Sequence, residues 1–162
     1  VTTAAPSSIA ADDFERMVAA TMPIDPRFRW RVLELHHGLA SVRLDYDDAF
    51  VRPGGTISGP TLFTLADLTL WAAVLSVVGM QPLTVTTQMS IHFLRRPPPS
   101  PLVARCEVLR AGRRLVHGDV RIYTQESPDA GTGLEGRGGP VCHATGSYAV
   151  PEAPAAVRGS GS

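Results

Sequence analysis

The chain of 162 residues contains no lysine, so all 15 of its basic residues are arginine. A bias of that kind reads as genomic composition, although arginine also suits bidentate binding of phosphate. Charge of one sign is not in excess either: 15 acidic side chains balance the 15 arginines. That excludes a general nucleic-acid binder, which would carry a basic surplus. Cysteine is scarce. Cys106 and Cys142 cannot build a disulfide framework, have no metal-ligand spacing, and read as buried free thiols in strands. The five histidines, His36, His37, His92, His117 and His143, are scattered without ligand spacing, so no metal site is expected and they read as structural or surface groups. The first eight residues, 1–8, have neither a basic start nor an apolar core. A secretory signal is not expected there, and the default expectation is a cytoplasmic protein.

Charge is also missing from the middle of the chain. Between Arg52 and Arg95, Asp67 is the only charged residue. It lies inside an apolar stretch from Gly59 to Val78 that reads as a buried helix. Asp is a poor helix former, and an unpaired carboxylate in apolar surroundings is costly. A donor, a partner chain or a function must offset that cost. Gly54-Gly55-Thr56-Ile57-Ser58-Gly59-Pro60 precedes the stretch, a glycine-rich turn that feeds the helix start. Free amide N–H groups at a helix N-terminus, followed two turns later by a lone acid, point to polar chemistry. The stretch is long enough for a membrane span. Asp67 at its middle, the recurrent Thr61, Thr64, Thr69 and Ser76, and the lack of close basic flanks favour a core helix instead.

Patterning places one domain over residues 9–150, with a loose arm at 1–8 and a disordered tail at 151–162. An amphipathic helix is expected over 9–22, ended by Pro23 and Pro26. Two alternating segments, 28–36 and 39–45, joined at His37-Gly38, read as a hairpin. A loop over 46–55 leads to the long helix, with Pro60 at its first turn and Gly79 at its end. Strands follow at 83–94, 101–109, 115–123 and 140–150, and a Gly-, Ser- and Pro-rich insert over 125–139 reads as an exposed mobile loop. The class is α+β, an antiparallel sheet wrapped around one central helix. A sheet curled on one helix leaves edges uncovered, so dimerisation by edge pairing is expected.

This pattern resembles the hotdog fold, and more narrowly the acyl-CoA thioesterases of the phenylacetic-acid-degradation type within the 4-hydroxybenzoyl-CoA thioesterase superfamily. The resemblance covers about residues 40–150. Its most specific part is the run from Gly55 through Gly59 to Asp67, similar to the family's Gly-Thr-x-His-Gly-Gly followed by an apolar stretch ending in Leu-x-Asp. Val85 to Arg95 and His143 to Tyr148 match the strands that follow. The resemblance implies a catalytic carboxylate at Asp67, acting as general base or nucleophile, and a backbone N–H at Gly59 that polarises the thioester carbonyl. It implies a hydroxyl at Thr86, with Thr87 as the neighbouring candidate, since alternation turns only one inward. It also implies a homodimer or homotetramer whose sites lie between subunits, with coenzyme A as part of the substrate and no other cofactor.

Two departures fall in the motif. Ser58 stands where the family has His, and Pro60 replaces the second Gly. Ser58 could bond the substrate or cap the helix. Upstream, Arg52 occupies the position of a family Asn and could pair with Asp67 or bind a substrate carboxylate or phosphate. Arg52, Ser58, Pro60, Thr87 and Arg95 are therefore the substrate-side candidates. Arg95, Arg96, Arg110, Arg113 and Arg114 read individually as a solvated rim and collectively as possible contacts for coenzyme A phosphates. The leading expectation is an acyl-CoA thioesterase. A non-catalytic acyl-CoA or fatty-acid binding protein on the same fold is the alternative, and a hydratase ranks last because no His general base pairs with an acid before the long helix.

Overall fold

The computed structural model describes residues 5–124 and 139–152. Most of the insert expected at 125–139, most of the tail at 151–162 and the start of the arm lie outside the described residues. The elements run α1 (Ala11–Thr21), β1 (Trp30–His36), β2 (Leu39–Leu44), β3 (Val51–Arg52), β4 (Thr56–Ile57), α2 (Gly59–Val78), β5 (Val85–Phe93), β6 (Leu102–Ala111), β7 (Leu115–Thr124) and β8 (Cys142–Ala149). Six strands form one antiparallel sheet in the order β1-β2-β6-β7-β8-β5, and β3 pairs with β4 apart from it. The long helix packs across this sheet, touching strands from one edge to the other. This is the expected architecture. The segment read as a loop over 46–55 adds a 3-10 turn at Asp48–Phe50 and the short strand that carries Arg52.

The ends of α2 follow from its sequence. The Ser58 hydroxyl caps it by accepting the Thr61 N–H at 3.4 Å, Pro60 sits in its first turn, and Gly79 leaves it at φ 84°. Two of its buried hydroxyls bond to the helix's own carbonyls: Thr69 to Leu65 at 2.7 Å and Ser76 to Ala73 at 2.6 Å. The helix is apolar and long enough to cross a membrane, but most of it is buried in the core. Opposite it lie the inward residues of each strand, among them Val42, Ala104, Val120 and Ala144. Gly118 of β7 and Gly146 of β8 are direct cross-strand partners. Leu70 fills the hollow they leave. A Cβ would come within 2.4 Å of its side chain at Gly118 and 2.7 Å at Gly146.

The two outer strands differ. At β1 the register shifts between Val32 and Glu34, and the Val32 N–H donates to the Glu15 carboxylate of α1 at 2.6 Å. The arm bridges His36 through Pro6, and α1 docks by Phe14, whose ring meets Trp30 and Trp71 edge-on. At β5 no element of the described chain covers the outer side. Leu83 is 77% exposed, Val85 57% and Phe93 54%.

Candidate functional site

Asp67 lies midway along α2 on the side facing the β5–β8 edge, and it is half-buried. Two hydroxyls donate to the same carboxylate oxygen: Thr86 Oγ1 and Tyr148 Oη each stand 2.8 Å from Asp67 Oδ1. Thr86 and Tyr148 are direct partners across β5 and β8. Their convergence is thus built into the sheet register. Beside them the register shifts between Thr86 and Gln88. The extra residue, Thr87, turns its hydroxyl to the Ser147 carbonyl at 3.2 Å, away from the carboxylate. No hydrogen bond reaches Asp67 Oδ2 among the described residues. Thr64 bonds the Pro60 carbonyl, and Ser58 is shared between the cap and the Thr61 hydroxyl, so neither holds the acid.

Tyr148 is absent from the set of site residues expected from the sequence. Burial, and next the negative charge of Asp67, push its phenol well above the ordinary tyrosine range. It therefore keeps its proton and acts as a donor. The signal in the sequence was slight: on β8 the inward positions run Cys142, Ala144, Gly146, Tyr148, and Tyr148 alone among them carries a hydroxyl.

Gly59 opens the helix, and no acceptor meets its N–H among the described residues. The Phe93 ring covers it so closely that a Cβ there would lie 3.3 Å from the ring edge. A cleft of about 360 Å³ opens beside it, its lining including Arg52, Thr56, Phe93, Arg95 and Arg96. Among the described residues no acidic side chain lines this cleft, and Thr56 Oγ1 is buried beside it without a hydrogen-bond partner. A more apolar groove of about 540 Å³ runs on past Pro60, Phe63, Thr64 and Ile91. Arg52 forms no ion pair with Asp67 among the described residues. The carboxylate is thus held by neutral hydroxyls, and the guanidinium lines the Gly59 cleft.

Gly59 and Asp67 are eight residues apart on one helix. At 1.5 Å rise per residue their backbones are separated by roughly 12 Å. A single carbonyl cannot touch both within one chain. Farther off, the other face of the sheet carries Asp119 between His143 and Arg121, and His117 bonded to Ser147 at 2.9 Å. These pairs stand apart from Asp67 and Gly59, and their Asp119 and Ser147 members are buried. Burial raises the Cys142 thiol to about 11 and pushes Cys106 higher still, so both are inert thiols.

Residues 54–130 match the sequence profile of the thioesterase superfamily. A candidate esterase of Saccharolobus solfataricus is 30% identical over 86 residues, which is 53% of this chain and 61% of that protein. The chain therefore spans about three fifths of the length of that curated relative. A candidate thioesterase from a Silicibacter species superposes with TM-score 0.74 at 28% identity, covering 93% of this chain and 97% of the other. A hypothetical thioesterase from Streptococcus pneumoniae, crystallised with coenzyme A, superposes with TM-score 0.67 at 26% identity, covering 88% and 97%.

Proposed function

We propose, for a chain that carries the hotdog fold of the thioesterase superfamily, that it hydrolyses acyl-CoA thioesters to a free acid and coenzyme A. The observation that carries the reading is the one-sided carboxylate of Asp67: Oδ1 takes two hydroxyl donors and Oδ2 takes none among the described residues. A carboxylate with a free oxygen can remove a proton from a water molecule or attack a thioester itself. As general base, Asp67 takes one proton of the attacking water while the oxygen bonds to the carbonyl carbon. Thr86 stands beside the acid, where its hydroxyl also helps hold that water. The oxyanion that develops needs a donor already in place, and the unclaimed Gly59 N–H at a helix start supplies one. Collapse of the tetrahedral species breaks the carbon–sulfur bond, coenzyme A leaves as its thiolate, and the proton held by Asp67 passes to it.

Because Asp67 and Gly59 of one chain stand about 12 Å apart along the helix, the acid of one protomer serves the amide of another. A homodimer, itself able to pair into a tetramer, follows from that division, and the open β5 edge is where the copies meet. Arg52 and Arg95, in the cleft beside Gly59, take the anionic parts of the substrate. Pro60 borders the adjoining groove for the acyl chain. The coenzyme A found with the Streptococcus pneumoniae relative agrees with this substrate class.

The deciding experiment is hydrolysis of butyryl-, octanoyl- and benzoyl-CoA by the wild type beside Asp67→Asn. Activity falling by about 10²–10⁴-fold with assembly intact is the expected result. Full turnover by Asp67→Asn would overturn the reading. Tight binding of all three without turnover by the wild type would support the binding-protein alternative, which one observation favours: Ser58, in place of the family His, spends its hydroxyl on the helix cap.

A further inference from the structure

We infer that Tyr148 is a positioning residue for Asp67: its phenol fixes Oδ1 in place, so that Oδ2 alone faces the reacting water. The inference rests on the proposed hydrolase reading and adds a residue to it. Three observations support it. The phenol oxygen lies 2.8 Å from Oδ1 and also 3.3 Å from the main-chain oxygen of Asp67, so it tracks both the side chain and the helix backbone. Tyr148 is 3% exposed, and its ring is held in the core cluster, so the hydroxyl cannot swing away. Thr86, its partner across the strands, takes the other approach to Oδ1.

A carboxylate can rotate about its Cβ–Cγ bond and exchange its two oxygens. Two donors on one oxygen, one of them anchored in the core, hold it in a single orientation before substrate arrives. The raised phenol described above keeps the proton on Tyr148, which rules it out as a general base and leaves it the role of donor. Substrate never needs to touch it.

The test uses the full chain and whichever of butyryl-, octanoyl- or benzoyl-CoA the wild type hydrolyses fastest. Tyr148→Phe keeps the ring and removes only the donor. The expected result is kcat lower by about tenfold with KM unchanged within about twofold. In an Asp67→Asn background the same substitution should cause no further loss, because it acts through that carboxylate. Wild-type kcat in Tyr148→Phe, or an equal loss in both backgrounds, would overturn the inference and leave the hydrolase reading standing. Full activity in Asp67→Asn would instead overturn the catalytic role proposed for Asp67. Should Tyr148→Phe fail to fold, fluorotyrosines substituted at that position retain the ring and alter the acidity of the phenol. A graded change in kcat at constant KM supports the role, and a flat series overturns it.

Discussion

The sheet ends in two strands that treat their outer backbone groups in opposite ways. On β1 the Val32 N–H is taken by Glu15, the chain is bulged, and the arm bridges His36. Each of these devices discourages another strand from adding there. On β5 nothing in the described chain plays that part, and the flanking Leu83, Val85, Phe93 and Leu94 are all more than half exposed. The difference marks β5 as the edge at which the proposed second copy would add. Asp67 and its two hydroxyl donors lie along the open edge, whereas nothing in the candidate site touches the closed one. In the function proposed above, a partner would both add to this edge and complete the site.

The comparison can be broken most severely at the open edge. Val85→Lys with Gln88→Lys sets two charges on β5, a device by which natural edges resist pairing. Size-exclusion chromatography with light scattering should then find monomers, and acyl-CoA hydrolysis should fall by about 10²-fold or more, as for loss of an essential catalytic group. A smaller effect is expected at the closed edge. Glu15→Ala leaves the Val32 N–H without its acceptor and should cost about 1–2 kcal/mol in denaturant unfolding, with assembly and kcat unchanged. Faster hydrogen exchange at Val32 would locate the damage. The smallest effect belongs to Arg31→Glu. Arg31 is exposed on β1, so reversing its charge should shift stability by no more than about 0.5 kcal/mol and leave mass and activity alone. A monomer produced by Arg31→Glu would show that the closed edge had been assigned the wrong role.

The fold was legible because its main signals are long. The 20 residues of α2 carry a cap, a proline at one end and a glycine at the other, and the observed bounds coincide with the expected ones. The strands declared themselves by alternation and by the turns between them. Strand β1 was less plain, because the bulge at Val32 spoils its alternation and leaves most of it half-buried. Glu15 belonged, by its sequence, to a solvated helix face, and its use as an acceptor for another element depends on docking that no local pattern encodes. At the site, Asp67 stood out because its charge is solitary. The choice between Thr86 and Thr87 for that acid depended on a register shift, and the contribution of Tyr148 on a pairing across 62 residues of sequence. The separation of Gly59 from Asp67 needed only the helix rise, whereas the cleft that gathers Arg52 with Arg95 and Arg96 needed the β3–β4 ribbon to fold beside the end of β5.

The glycine pair beneath Leu70 acts as a depth stop. Leu70 lies one turn past Asp67, and the missing Cβ atoms at Gly118 and Gly146 set how far the helix sinks toward β7 and β8. Because Tyr148 stands two residues beyond Gly146 on the same strand, its span to the acid is calibrated by that seating. Two side chains made of a single hydrogen thus tune the reach of a phenol they never meet.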